Sequence, residues 1–72
     1  KGNLNLISDV AVAAILFEAS LASARFNVDI NLKSLGDKKL ARVIGGELNR
    51  KQKQAKKIRI DTERRVGEII RG

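Results

Sequence analysis

Cysteine, histidine, tryptophan, tyrosine, methionine and proline are all absent from these 72 residues, and the only aromatics are Phe17 and Phe26. Each absence removes a class of function. Without Cys or His there is no thiolate or imidazole metal site, no disulfide framework, and no Ser-His-Asp or Cys-His catalysis. Carboxylates remain as strong ligands for a hard cation, but the four Asp and four Glu are scattered along the chain rather than clustered, so no metal site is expected. Two Phe are too few for a platform on which single-stranded bases stack. A chain this short buries only about 60% of the surface its unfolded form exposes. With neither disulfide nor metal to staple it, association with other protein is the remaining source of stability. The chain opens on Lys1 rather than Met, as a processed or truncated chain would.

What is present divides the chain in two. Residues 1–36 hold Lys1, Arg25 and Lys33 against Asp9, Glu18 and Asp29, and are neutral. Residues 37–72 hold twelve basic and five acidic side chains, so the whole formal charge of +7 resides there. Apolar content shifts the opposite way, which marks a change of role along the chain.

The pattern predicts an all-α fold: a long buried helix, an extended connector and a long amphipathic basic helix, together forming part of a helical bundle or oligomer. Residues 8–26, SDVAVAAILFEASLASARF, contain no Gly or Pro and are rich in Ala, so helix propensity is high. Ser8 or Asp9 is placed to cap the start, and the helix dipole favours Asp9 there. Val10, Val12, Ile15, Leu16, Phe17 and Leu21 fall on nearly every side, the mark of a buried helix. The uninterrupted apolar run from Val10 to Phe17 is far shorter than the ~20 residues a bilayer needs, and Glu18 follows it, so no membrane association is expected. Lys1 alone makes a weak basic region for a signal peptide.

In residues 27–36, NVDINLKSLG, apolar Val28, Ile30 and Leu32 alternate with polar Asn27, Asp29 and Asn31. Period two predicts an extended connector with one face buried. Residues 37–71 then read as one helix. At 100° per residue, Leu40, Ile44, Leu48, Ala55, Ile58, Thr62, Val66 and Ile69 share one side, and the stripe keeps phase across Gly45-Gly46. Arg42, Lys53, Lys56, Lys57, Arg64 and Arg71 lie opposite, with Ile60 out of place among them. Glu47 with Lys51, and Asp61 with Arg65, stand at i, i+4 in the favourable order. Two readings of the basic face stand side by side: a solvated helix back, or a surface for nucleic acid or another polyanion.

Asn3 and Asn5 precede the first helix, and Asn27 and Asn31 follow its predicted end. Such residues serve as caps and turn formers, or converge in a pocket. Gly2-Asn3, Ser8-Asp9, Val12-Ala13-Ala14, Phe26-Asn27-Val28 and Ile30-Asn31-Leu32, in this order and spacing, resemble one family. It is the C-terminal part of the formiminotetrahydrofolate cyclodeaminase and methenyltetrahydrofolate cyclohydrolase family. The resemblance covers about thirty residues; residues 37–72 are similar to the family only in being a long charged helix, and Gly45-Gly46 and the basic charge depart from it.

The resemblance implies an all-helical, cytoplasmic enzyme that works as a homo-oligomer, a dimer or larger. It implies a tetrahydrofolate derivative as substrate and no metal: loss of ammonia from the formimino form, or hydrolysis of the methenyl form. It assigns no catalytic residue to this chain, because the family's acid and base groups lie in an earlier segment. What it carries over is Asn3, Ser8, Asp9, Asn27 and Asn31, as residues that line or brace a folate cleft. The chain is then a C-terminal segment, inactive in isolation, that packs against other copies or against the rest of a larger chain. The alternative is a small basic helical module that oligomerises and binds nucleic acid or another polyanion.

Overall fold

The structure is a computed structural model that describes residues 4–72. It consists of two helices, α1 (Leu4–Leu35) and α2 (Lys38–Arg71), folded back on one another as an antiparallel hairpin. The all-α class read from the sequence is what is found, with no strand among the described residues. The hairpin is a rod of 52 × 15 × 13 Å. That length is close to the ~51 Å expected of 34 helical residues at ~1.5 Å each.

Two residues make the turn. Gly36 sits in the left-handed region at φ 72°, where a side chain would be strained, and its amide donates to the carbonyls of Leu32 and Lys33. Asp37 then caps α2: its Oδ1 accepts from the Leu40 amide at 3.0 Å, satisfying one of the first-turn donors. Gly-Asp is thus a stop signal followed directly by a start signal.

The extended connector expected over 27–36 does not form. Residues 27–35 continue α1. The alternation of Val28, Ile30 and Leu32 satisfies a helix too, because Val28 and Leu32 stand one turn apart and prolong a stripe already running through Leu21 and Arg25. No Gly or Pro intervenes before Gly36. Extending a formed helix is cheaper than ending it, and of the three alternating apolar residues only Ile30 is left outward by the choice. The helix also runs from Leu4, so neither Ser8 nor Asp9 caps its start. Ser8 lies in the second turn and its hydroxyl donates back to the Asn5 carbonyl at 3.2 Å.

The contact between the helices follows a heptad. On α1 the covered positions are Ile7, Ala11, Ala14, Glu18, Leu21, Arg25, Val28 and Leu32, spaced alternately four and three residues apart. On α2 they are Ala41, Gly45, Leu48, Gln52, Ala55, Arg59, Thr62 and Val66, with the same alternation. A repeat of 3.5 residues keeps two helices facing each other along their whole length. Alanine and glycine fill much of the seam, so the axes approach closely. The α2 stripe read from the sequence is correct at Leu48, Ala55, Thr62 and Val66 but rotated from the true seam elsewhere: Leu40, Ile58 and Ile69 are exposed.

One partner helix covers one stripe, and this decides how much of α1 is buried. Of α1 only Leu32 is buried; Val10, Val12, Leu16, Phe17, Phe26 and Ile30 are exposed, Phe26 to 71%. The apolar-all-round helix is therefore not buried within the hairpin. α1 also carries an 18-residue stretch of mean hydropathy 1.7, long and apolar enough by length and composition to cross a membrane, and that stretch is uncovered in the hairpin.

α2 runs unbroken through Gly45-Gly46. A methyl group at Gly46 would meet open space, and at Gly45 it would meet only an Arg25 guanidinium nitrogen at an ordinary 3.8 Å. Gly45→Ala and Gly46→Ala each raise stability by about 0.5–1 kcal/mol in urea unfolding, whereas Gly36→Ala, forced into a left-handed backbone, lowers it by about 1 kcal/mol.

Candidate functional site

Two polar layers interrupt the seam, one heptad apart. In the first, Arg59 Nε donates to Glu18 Oε1 across the hairpin at 2.6 Å, and Arg59 Nη1 donates to Glu63 on its own helix at 2.9 Å. In the second, Arg25 Nη1 donates to Gln52 Oε1 at 2.7 Å and also to Asn49 Oδ1. Seven residues forward on α1, from Glu18 to Arg25, answer seven back on α2, from Arg59 to Gln52. Each layer places an arginine from one helix against acceptors on the other. The two carboxylates hold the Arg59 proton more tightly than usual, Glu18 first through its hydrogen bond and then Glu63, so the guanidinium stays charged at every physiological pH. Arg25 Nε is buried without a hydrogen bond; Asp29 Oδ2, one turn on, lies 3.4 Å away and supplies charge rather than an aligned acceptor.

Two open clefts flank these layers. One, of about 330 Å³, is lined by Ile15, Glu18, Ala19, Ala22, Arg59 and Glu63. The other, of about 350 Å³, is lined by Glu18, Asn49, Gln52, Lys53 and Lys56. Glu18 belongs to both. Among the described residues no three carboxylates come together as a metal site. The layers join the two helices and present Glu18 with Arg59 and Glu63 to the first cleft, and Glu18 with the amides of Asn49 and Gln52 and two lysines to the second.

The residues carried over from the family resemblance lie elsewhere. Asn3 is outside the described residues. Asp9, Asn27 and Asn31 are exposed on α1, and Ser8 is half-covered near its start. Asn27 and Asn31 are neighbours one turn apart. Asp9 stands 18 residues from Asn27, five full turns, so the two share a side of the helix but are separated by about 27 Å of rise. The hairpin by itself does not draw Ser8 and Asp9 together with Asn27 and Asn31. Glu18, Arg25, Asn49, Gln52, Arg59 and Glu63 were not singled out by the sequence reading. The signal that finds them is the four-three spacing through Ile7, Ala11, Ala14, Glu18 and Leu21, into which the charged residues fit only if the partner helix offers an opposite group. Of the two pairs expected along α2, Asp61 and Arg65 are joined at 3.2 Å, while Glu47 turns to Arg50 instead of Lys51.

The described residues form a two-helix hairpin with a polar-layered seam and an apolar flank on α1 that α2 does not cover. Residues 1–50 match the family described as formiminotransferase-cyclodeaminase, and the chain belongs to that family. It is 51% identical over 41 residues to a methenyltetrahydrofolate cyclohydrolase of Methylorubrum extorquens, a match covering 57% of this chain and 20% of the relative. The chain thus spans about a fifth of the length of the curated relative it matches. No solved structure matches it. Residues 51–72, which carry much of the basic face, lie beyond the family match.

The Glu18–Arg59 layer is tested by a double-mutant cycle. Glu18→Gln and Arg59→Gln each lower the urea midpoint of unfolding, and the double replacement costs less than the two single losses added. Simple additivity would show that the two groups do not act on each other.

Proposed function

We propose that this chain is a structural segment of a folate-converting enzyme, and that the whole enzyme hydrolyses a methenyl-tetrahydrofolate. The observation that carries this reading is the 51% identity, over 41 residues of the hairpin, to a protein named methenyltetrahydrofolate cyclohydrolase. In that reaction water adds to the methenyl carbon, and one of its two carbon–nitrogen bonds opens to leave a formyl group. Ammonia loss from the formimino form, the other activity suggested by the family's description, is the second reading of the same protein.

The physical argument for a segment is the apolar flank of α1. Phe17, Phe26, Val12, Leu16 and Ile30 are exposed in the hairpin. Of these, Val12, Leu16, Phe26 and Ile30 fall on one side of the helix at 100° per residue, and an exposed apolar face of this kind is covered by other protein or by lipid. Lipid fits poorly, because α2 lies along α1 and would bring its Lys and Arg into the hydrocarbon with it. Other helices of the enzyme, or other copies in a homo-oligomer, supply the cover. The reading places the protein in the cytoplasm, with a tetrahydrofolate derivative as substrate and no metal in the reaction.

In this assembly Asn27 and Asn31 share one patch on the outer side of α1 and reach the substrate cleft as amide donors and acceptors. Asn3, Ser8 and Asp9 serve the far end of the same helix, bracing the cleft or the helices that wall it. The chain alone, holding neither the cover nor the rest of the cleft, turns over neither folate.

A chimera tests this. The matching segment of the Methylorubrum cyclohydrolase is replaced by the corresponding segment of this chain, and hydrolysis of methenyl-tetrahydrofolate is followed by its absorbance. The chimera keeps kcat/KM within about tenfold of the parent, and Asn27→Ala within it lowers kcat/KM by about tenfold or more, the scale of a lost orienting hydrogen bond. A folded chimera without activity contradicts the family role; an active chimera indifferent to Asn27→Ala contradicts the cleft assignment.

A further inference from the structure

Among the described residues, the lysines of α2 make no ion pairs, and every ion pair to a carboxylate is made by an arginine: Arg25, Arg50, Arg59, Arg64 and Arg65. Lys53, Lys56 and Lys57 therefore stand exposed without an acidic partner, in the segment that lies beyond the family match. They border an open cleft of about 650 Å³ that also holds Ile58, Ile60, Asp61 and Arg64.

Ile60, like Val43 and Ile58, is an exposed apolar residue of α2 outside the seam. It stands on the basic side, 48% exposed, one turn on from Lys57 and one turn before Arg64. A merely solvated helix back has no use for an isoleucine there. An apolar centre inside a charged rim is instead the anatomy of a protein interface.

From this arrangement we infer that the outer face of α2 between Lys53 and Arg64 docks an acidic amphipathic helix of another protein segment. Its apolar side chain seats on Ile60 and its carboxylates face Lys53, Lys56 and Lys57. A second copy of this face is excluded as the occupant, because a twofold contact would set lysine against lysine. Nucleic acid is the poorer fit. Duplex DNA carries a charge about every 1.7 Å and meets Asp61 within the cleft, whereas it makes no use of Ile60. A helix places its few carboxylates to avoid Asp61, which Arg64 and Arg65 already hold at 2.6 and 3.2 Å.

The test is fluorescence anisotropy with the 72-residue protein and a labelled probe peptide of three EELAELE heptads, at low and at physiological salt. A peptide of the same composition with its leucines scattered around the helix, and a duplex DNA, serve as comparisons. The amphipathic peptide binds about tenfold more tightly than the scattered one, because only it offers an apolar stripe. Lys57→Glu and Ile60→Ser each weaken that binding by about fivefold or more, with circular dichroism unchanged, as befits exposed positions. Raising the salt weakens the contact without abolishing it. Three results overturn the inference. One is no binding at low salt. Another is equal binding of the two peptides, or binding indifferent to Ile60→Ser. The third is tighter binding of DNA than of the amphipathic peptide, which would make the face a nucleic-acid surface.

Discussion

Two arginines, crossing the seam in opposite directions, set the register on which the rest of this hairpin depends. Arg59 reaches from α2 to Glu18 on α1, and Arg25 reaches from α1 to Gln52 and Asn49 on α2. The apolar seam positions are Ala, Gly, Val, Leu and Ile, which pack without directional bonds and so specify register less sharply than paired polar groups do. Sliding the seam past these layers would set Glu18 opposite Gln52 or Val66 and leave charges without partners. Polar groups at seam positions specify alignment in this way at some expense of stability. With the register fixed, the Gly36-Asp37 turn closes without slack, and the basic side of α2 is turned away from α1.

The same constraint explains what is left exposed. Seam positions on α1 include Ala11 and Ala14, whereas the large apolar residues Phe17, Phe26 and Leu16 stand outside. The strongest apolar surface of the chain is thus reserved for something other than α2. In a chain that matches its relative over a fifth of that relative's length, this distribution supports the proposal that other protein covers α1. The family match stops at residue 50, so Lys53, Lys56, Lys57 and Ile60 lie beyond it.

Much of this was legible in the sequence, and the failures are physical. The helix of residues 37–71 was readable because Gly45 and Gly46 leave the phase of its stripe intact; the Asp37 cap that starts it came only with the structure. The family was readable from short motifs around Ser8-Asp9 and Phe26-Asn27-Val28. The stretch 27–35 misled because Val28, Ile30 and Leu32 satisfy both period two and, at Val28 and Leu32, period four. Local pattern cannot choose between them; the packing of Leu32, 7% exposed, against α2 does. The seam itself was hidden for a related reason. An apolar-all-round helix gives no direction to its buried side, and the residues that define that side, Glu18 and Arg25, are charged. They look like surface residues until their partners Arg59 and Gln52, 41 and 27 positions away, are brought opposite them.

The register is most directly tested by nuclear Overhauser contacts between side chains in solution. Arg59 Hε to the Glu18 Hγ protons and Arg25 Hη to the Gln52 Hγ protons are the two informative pairs. The account predicts both cross-peaks in one sample, since one alignment satisfies both layers. Cross-peaks displaced by a heptad, with Arg59 against Arg25 or Glu18 against Gln52, would contradict it, as would random-coil shifts for residues 27–35.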